Sequence, residues 1–150
     1  MYHSRKYKLN ENFFSPWSPE MAYVLGFWYA DGNMRRSKSY RIGFFSVDYD
    51  HLAGIAELFS SGSSVLLNRG CYELTVRSKK LFYDLYSLGG RPAKSTSLVF
   101  PSVADEYMGD FIRGYFDGDG SVHHITYKAS KTESITQTFA ATLLVELLIS

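Results

Sequence analysis

Apolar and polar positions along this chain alternate between helical and strand-like spacing in a repeating order. Nearly every position from about Ser18 to Tyr29 is apolar, with Ser18 placed to cap, Pro19 at the first helical position and Glu20 in the first turn, which predicts a buried helix. After a break at Ser37-Lys38-Ser39, Tyr40 to Val47 is rich in aromatic and β-branched residues and predicts a β-hairpin. Asp48 or Asp50 can cap a second helix reaching about Phe59, with Leu52, Ile55, Ala56 and Phe59 on one face, and Ser61-Gly62-Ser63 ends it. A second hairpin follows around Arg69-Gly70, from Ser64 to Asn68 and from Cys71 to Arg77. There Tyr72, Leu74 and Val76 alternate with Cys71, Glu73, Thr75 and Arg77, so one face is core and the other open. Ser78 caps a third helix whose Leu81, Phe82, Leu85 and Leu88 form its buried side, and Gly89-Gly90 stops it.

A linker from Arg91 to Pro101 precedes a fresh start of the same order. It brings a helix from about Asp105 to Phe116, a strand from Val122 to Lys128, a turn near Lys131-Thr132-Glu133-Ser134, a strand from Ile135 to Phe139 and a helix beginning near Thr142. The expected class is α+β, with an αββαββα repeat. Residues 1–16 are polar and irregular and predict an N-terminal arm, 17–100 the first repeat with its linker, and 101–150 a partial second repeat. Too few residues follow Asp119 for a second hairpin and a last helix. The second half is therefore expected to leave a sheet edge open and an apolar face uncovered, as in a truncated reading frame, a fragment or a dimer by strand exchange.

The two repeat-initial helices share a nine-residue pattern. Val24-Leu25-Gly26-Phe27-Trp28-Tyr29-Ala30-Asp31-Gly32 is matched by Ile112-Arg113-Gly114-Tyr115-Phe116-Asp117-Gly118-Asp119-Gly120. Small residues fall at the third and seventh positions, so Gly26 and Ala30, and Gly114 and Gly118, each stack at i,i+4 along one stripe. Two such stripes let two helix backbones touch. Asp31 and Asp119 close the helices at the negative end of the macrodipole, a placement that costs an anion about 0.3–1 kcal/mol each. Packed side by side and parallel, the helices would bring the carboxylates together. A hard divalent cation with oxygen ligands resolves that repulsion. The stretch Asp117-Gly118-Asp119-Gly120-Ser121 also resembles the start of an EF-hand loop, but that loop needs Glu at its twelfth position and Lys128 stands there.

On these residues the two segments resemble the paired motifs of the LAGLIDADG homing endonucleases. The resemblance implies that family's fold, with an antiparallel, saddle-like sheet in each repeat and the motif helices at the interface. It also implies a site-specific DNA endonuclease making a staggered double-strand cut in a long, pseudo-palindromic target. Asp31 and Asp119 match the metal-binding acids, with two or more Mg²⁺ ions shared between them. Asp117 matches an upstream acidic position that Tyr29 holds in the first copy, so it is not expected to be a required ligand. Lys94, in Gly90-Arg91-Pro92-Ala93-Lys94-Ser95 with Pro101 beyond, matches a basic residue that polarises water or phosphate. Its counterpart in the second half would fall beyond Ser150.

Composition adds bounds. The 150 residues are 45% apolar and 17% aromatic, enough for a packed core, and hold no stretch long enough to span a bilayer. Cys71 is the single cysteine, which favours a reducing compartment, a bacterial cytoplasm or an organelle matrix. Net charge is only +1, but basic residues cluster at His3, Arg5, Lys6 and Lys8, at Arg35, Arg36, Lys38 and Arg41, and at Arg77, Lys79 and Lys80. A curved antiparallel sheet can lie in the major groove of double-stranded DNA, which makes Arg35, Arg36, Lys38, Arg41 and Arg77 candidate DNA contacts in the first half, and His123, Tyr127 and Lys128 in the second. His123 and His124 alternate across a strand and lack a partner at zinc-ligand spacing. Phe27, Trp28, Tyr115 and Phe116 are expected in the helix interface.

The chain is expected to work as a monomer, since it carries both motifs, or as a dimer if the sheet edge is open. Competing readings are a maturase-like DNA- or RNA-binding module, the endonuclease part of an intein, and an inactive remnant. The first would not need both acids. The second lacks a splicing residue at the start and His-Asn at the end.

Overall fold

The computed structural model describes residues 8–60, 65–92 and 99–119. Its elements are α1 (Pro19–Asp31), β1 (Asn33–Arg36), β2 (Tyr40–Ser46), α2 (Tyr49–Leu58), β3 (Leu66–Asn68), β4 (Cys71–Arg77), α3 (Lys79–Ser87) and α4 (Asp105–Gly118). The class is α+β, and the described residues form four helices and a four-stranded antiparallel sheet in the order β1-β2-β4-β3. By internal contacts the chain divides into Met1–Gly118 and Asp119–Ser150. All eight elements belong to the first unit. The strands and helix expected from Val122 onward lie outside the described residues. Among the described residues no helix is long and apolar enough to cross a membrane.

Three helices start where capping chemistry places them. Ser18, Asp48 and Ser78 accept the backbone N–H of Met21, His51 and Leu81, each satisfying a donor that the first turn leaves without a partner. The β3-β4 turn has Arg69 at φ 54° and Gly70 at φ 80°. Two successive positive values make the turn that matches the twist of a two-residue hairpin.

Register fixes the faces of the sheet. Met34 pairs with Ile42, Ile42 with Val76, and Phe44 with Leu74, and all five are buried beneath the helices with Leu52, Ile55, Phe59, Leu81, Phe82 and Leu85. Tyr72, expected in the core, is half-buried with its ring 5.4 Å from Tyr49.

The stretch read as an arm is docked from residue 8 onward. Leu9, Phe13 and Phe14 are buried, Phe13 lies 4.5 Å from the Phe59 ring, and Asn10 N–H donates to the Phe59 carbonyl at 2.8 Å. Ser78 Oγ donates to Glu11 at 2.7 Å, and Lys80 donates to Ser15 at 2.8 Å. Apolar residues without helical or strand period thus pack at the end of α2, while Glu11 and Ser15 tie the segment to the start of α3.

Candidate functional site

Helices α1 and α4 run parallel with their backbones in contact. A Cβ at Gly26 would fall on the Phe111 carbonyl oxygen, and one at Gly114 on that of Tyr23. A Cβ at Gly118 would come within 2.8 Å of both the Ala30 Cβ and the Phe27 carbonyl oxygen. All four expected stripe residues therefore lie in the contact. Around it Phe27, Trp28, Tyr29 and Phe111 are buried, and Tyr115 and Phe116 half-buried.

Asp31 is the exposed last residue of α1. Neither α1 nor α4 has a basic residue in its last turn, so no cation from the helix itself offsets either negative end. Gly32 is the α1 cap but with φ −77°, so the left-handed cap geometry is not its reason. Its missing side chain leaves room for the Trp28 ring, whose Cγ and Nε1 would lie 2.7 Å from a Cβ there. Trp28 Nε1 in turn donates to the Asn33 carbonyl at 3.0 Å, binding the turn after Asp31 to the helix before it. Asp119 follows the last residue of α4 in the chain and opens the second unit. Among the described residues no group of three or more His, Cys, Asp and Glu side chains gathers in metal-binding range.

Tyr29 and Asp117, which hold equivalent places in the two motifs, both tie their helices to neighbours. The Tyr29 hydroxyl reaches the carbonyls of Val99 (2.6 Å) and Leu88 (3.2 Å), and burial pushes its phenol well above the usual tyrosine range. Val99 N–H donates to the Gly89 carbonyl at 3.1 Å, so the two ends of the linker meet beside Tyr29. Gly89 has φ 116° and no room for a Cβ, which would fall on the Val99 carbonyl oxygen. Lys94 lies between these ends, outside the described residues.

Asp117 accepts from the Tyr23 hydroxyl at 2.5 Å, and His51 Nε2 sits 2.8 Å from the same hydroxyl. Burial, then the Asp117 contact, push the Tyr23 phenol up as well. Arg113 lies 4.9 Å over the Tyr23 ring, and these side chains line an open cleft of about 370 Å³ together with Pro19, Glu20 and Leu58. This group has almost no signature along the chain. Its parts come from three helices, and only the i,i+4 spacing of Arg113 and Asp117 is visible in the chain.

On the open face of the sheet Arg35 stands opposite Arg41, and Arg41 opposite Arg77. The three expected DNA contacts therefore form one row across β1, β2 and β4. Asn33, Gly43 and Thr75 make the next row on that face, where the Asn33 side chain fills the space above Gly43. Arg41 Nη2 donates to Ser37 at 3.3 Å, while its Nε is a buried donor with no hydrogen-bond partner. Lys38 is exposed in the β1-β2 turn. Arg36 departs from the expectation: being adjacent to Arg35 it points to the opposite face, where its guanidinium lies 5.4 Å from the Tyr40 ring. His123, Tyr127 and Lys128 lie outside the described residues.

Comparison with protein-family models, curated proteins and solved structures gives no match to this chain.

Proposed function

We propose that the chain is a DNA endonuclease of the LAGLIDADG homing type, cutting both strands of a specific duplex with Mg²⁺. The observation that carries the proposal is the backbone contact between α1 and α4. Gly26, Ala30, Gly114 and Gly118 all lie in it, and two of these residues directly precede Asp31 and Asp119. A repeat that served only to bury apolar helices would not need an acid after each stripe.

The residues suit a hard cation. Asp31 is exposed, an oxygen donor at the negative end of a helix without a basic residue in its last turn. In the family's pattern Asp31 and Asp119 would supply carboxylate oxygens to the Mg²⁺ ions. When bound, the metal activates water and neutralises charge on the phosphate being cut. The protein's own part is to fix the ends of α1 and α4 by close packing at the stripe, which supplies preorganisation. In the family's pattern Lys94 would polarise water or phosphate from the linker that Tyr29 fastens.

The sheet would hold the duplex. Arg41 stands opposite both Arg35 and Arg77, which puts like charges face to face across the strands. Phosphate oxygens or guanine edges lying along the row would offset that repulsion. Arg36 lies off this surface and is left out of the assignment.

The test is to incubate the purified chain with a randomised duplex library in Mg²⁺, sequence the new DNA ends, and repeat with Asp31→Asn and Asp119→Asn. Ends that share one motif and vanish in both variants are expected. No ends from the wild type, or undiminished cutting by either variant, would overturn the proposal.

A further inference from the structure

The endonuclease reading leaves unused a strip of cations and phenols on the helix side of the sheet. Lys79, Tyr83 and Tyr86 stand at i, i+4 and i+7 on α3, on one face, while Leu81, Phe82 and Leu85 are buried. Tyr40 extends the strip from β2: its ring lies 5.2 Å from Phe82 and 5.5 Å from Tyr83. Arg36 and Lys79 place their charges 5.4 and 5.8 Å from the Tyr40 ring centre. At the far end the Arg91 guanidinium lies 3.8 Å over the Tyr86 ring, held by 2.7 Å hydrogen bonds to the carbonyls of Tyr86 and Gly90.

The strip is electropositive. The ion pairs among the described residues are Lys80–Asp84 and Arg113–Asp110, so Arg36, Lys79 and Arg91 have no carboxylate partner there. A hydrogen bond from Tyr83, reinforced by Arg36 and Lys79, draws the Tyr40 phenol below the usual tyrosine range, and no carboxylate opposes it. Tyr83 and Tyr86 are 38% and 41% exposed, too open to serve as core. From Lys79 to Tyr86 the helix advances about 10 Å, room for two or three nucleotides.

We propose that this strip is a second nucleic-acid surface, distinct from the arginine row and suited to a single strand. Arg36, Lys79 and Arg91 take phosphates, and bases stack on Tyr83 and Tyr86. Cations interleaved with aromatic faces are the chemistry of sequence-tolerant single-strand binding. A duplex can use the cations but keeps its base faces inside its own stack, so the exposed phenols favour unpaired bases. Which polynucleotide it is, DNA or RNA, does not change the chemistry.

The experiment is fluorescence anisotropy of a labelled twelve-nucleotide oligothymidylate, with a duplex of matched length beside it, in EDTA so that cleavage plays no part. The Tyr83→Ala/Tyr86→Ala double variant is expected to bind the oligonucleotide at least about tenfold more weakly. It should hold the duplex within about twofold. Tyr83→Phe/Tyr86→Phe keeps both rings and should bind like the wild type, which separates loss of stacking from loss of fold. Arg41→Gln should weaken the duplex and spare the oligonucleotide. No binding of the oligonucleotide by the wild type overturns the proposal, as does equal binding by the alanine variant or a parallel fall for single strand and duplex. Each of those results leaves Mg²⁺-dependent cutting to be judged by its own assay.

Discussion

Replacing Gly114 by alanine tests the helix contact on which the functional reading stands. Inside an ordinary helix, glycine to alanine stabilises by about 0.5–1 kcal/mol because alanine loses less backbone entropy on folding. Gly109, on the same helix, is exposed and has nothing within 4 Å of where an alanine methyl would sit, so Gly109→Ala should show that gain. At Gly114 the methyl would fall on the Tyr23 carbonyl oxygen, 2.8 Å from its carbon and 3.1 Å from the Phe27 nitrogen. These are backbone atoms that no rotamer change can move. The helices must part by about an ångström, leaving Phe111, which is fully buried, less well packed. Overpacking of this kind costs about 1–3 kcal/mol. The two variants should therefore move in opposite directions and differ by roughly 3 kcal/mol. At roughly 4 °C per kcal/mol for a domain of this size, Gly114→Ala should lower Tm by about 8 °C while Gly109→Ala raises it slightly. Urea unfolding followed by circular dichroism gives both values, provided the transitions are two-state. If Gly114→Ala stabilised the protein as Gly109→Ala does, the helices would not be in backbone contact and the argument from the repeat would fail.

Two other side chains have roles that a single substitution isolates. Tyr29→Phe removes the hydroxyl shared by the Val99 and Leu88 carbonyls and should cost about 1–3 kcal/mol, measured by the same unfolding assay. The sign of the pH effect follows from the raised phenol: below the ordinary tyrosine value of 10.0 both states keep the proton, and above it the unfolded chain ionises first. Stability should therefore hold up to about pH 10 and fall beyond, less steeply in Tyr29→Phe; an identical pH profile for the two proteins would rule this out. Ser78→Ala removes the α3 cap and the hydrogen bond to Glu11, and should lower unfolding free energy by about 1–2 kcal/mol.

Local chemistry made the first repeat legible. Caps at Ser18, Asp48 and Ser78, glycine at Gly70 and Gly89, and the alternation through β4 act within a few residues, so the helix-strand-strand order could be read directly. The stripe was legible for a related reason, since it recurs in two helices at the same spacing. What stayed hidden depends on distant partners. Phe13 and Phe14 carry no period because they pack as a wedge against Phe59 rather than along an element. Tyr23, His51 and Asp117 meet only because α1, α2 and α4 do. The side chosen by Arg36 follows from the strand's starting point: a basic run at 35–36 looks like one patch in the chain, but the pleat divides it between two faces.

The arginine row sets what favours the fold against what the proposed DNA binding would require. Arg35, Arg41 and Arg77 stand side by side across three strands, and like charges directly opposite destabilise a sheet by up to about 1 kcal/mol per pair. Arg35 is exposed on the edge strand, so Arg35→Thr removes one of the two repulsive pairs and introduces a residue that suits a strand. Without DNA the variant should be more stable by about 0.5 kcal/mol, and the gain should shrink in salt, which screens the charges. If the row holds duplex DNA as proposed, the order should reverse: affinity should fall, and the slope of log affinity against log salt should drop by about one, the mark of one lost phosphate contact. A residue placed for the fold would give the opposite pair of results, lower stability with unchanged binding. Thermal unfolding in low and high salt, paired with a salt titration of duplex binding, separates the two roles in a single variant. Lower stability of Arg35→Thr in low salt with an unchanged salt slope would assign the row to the sheet itself.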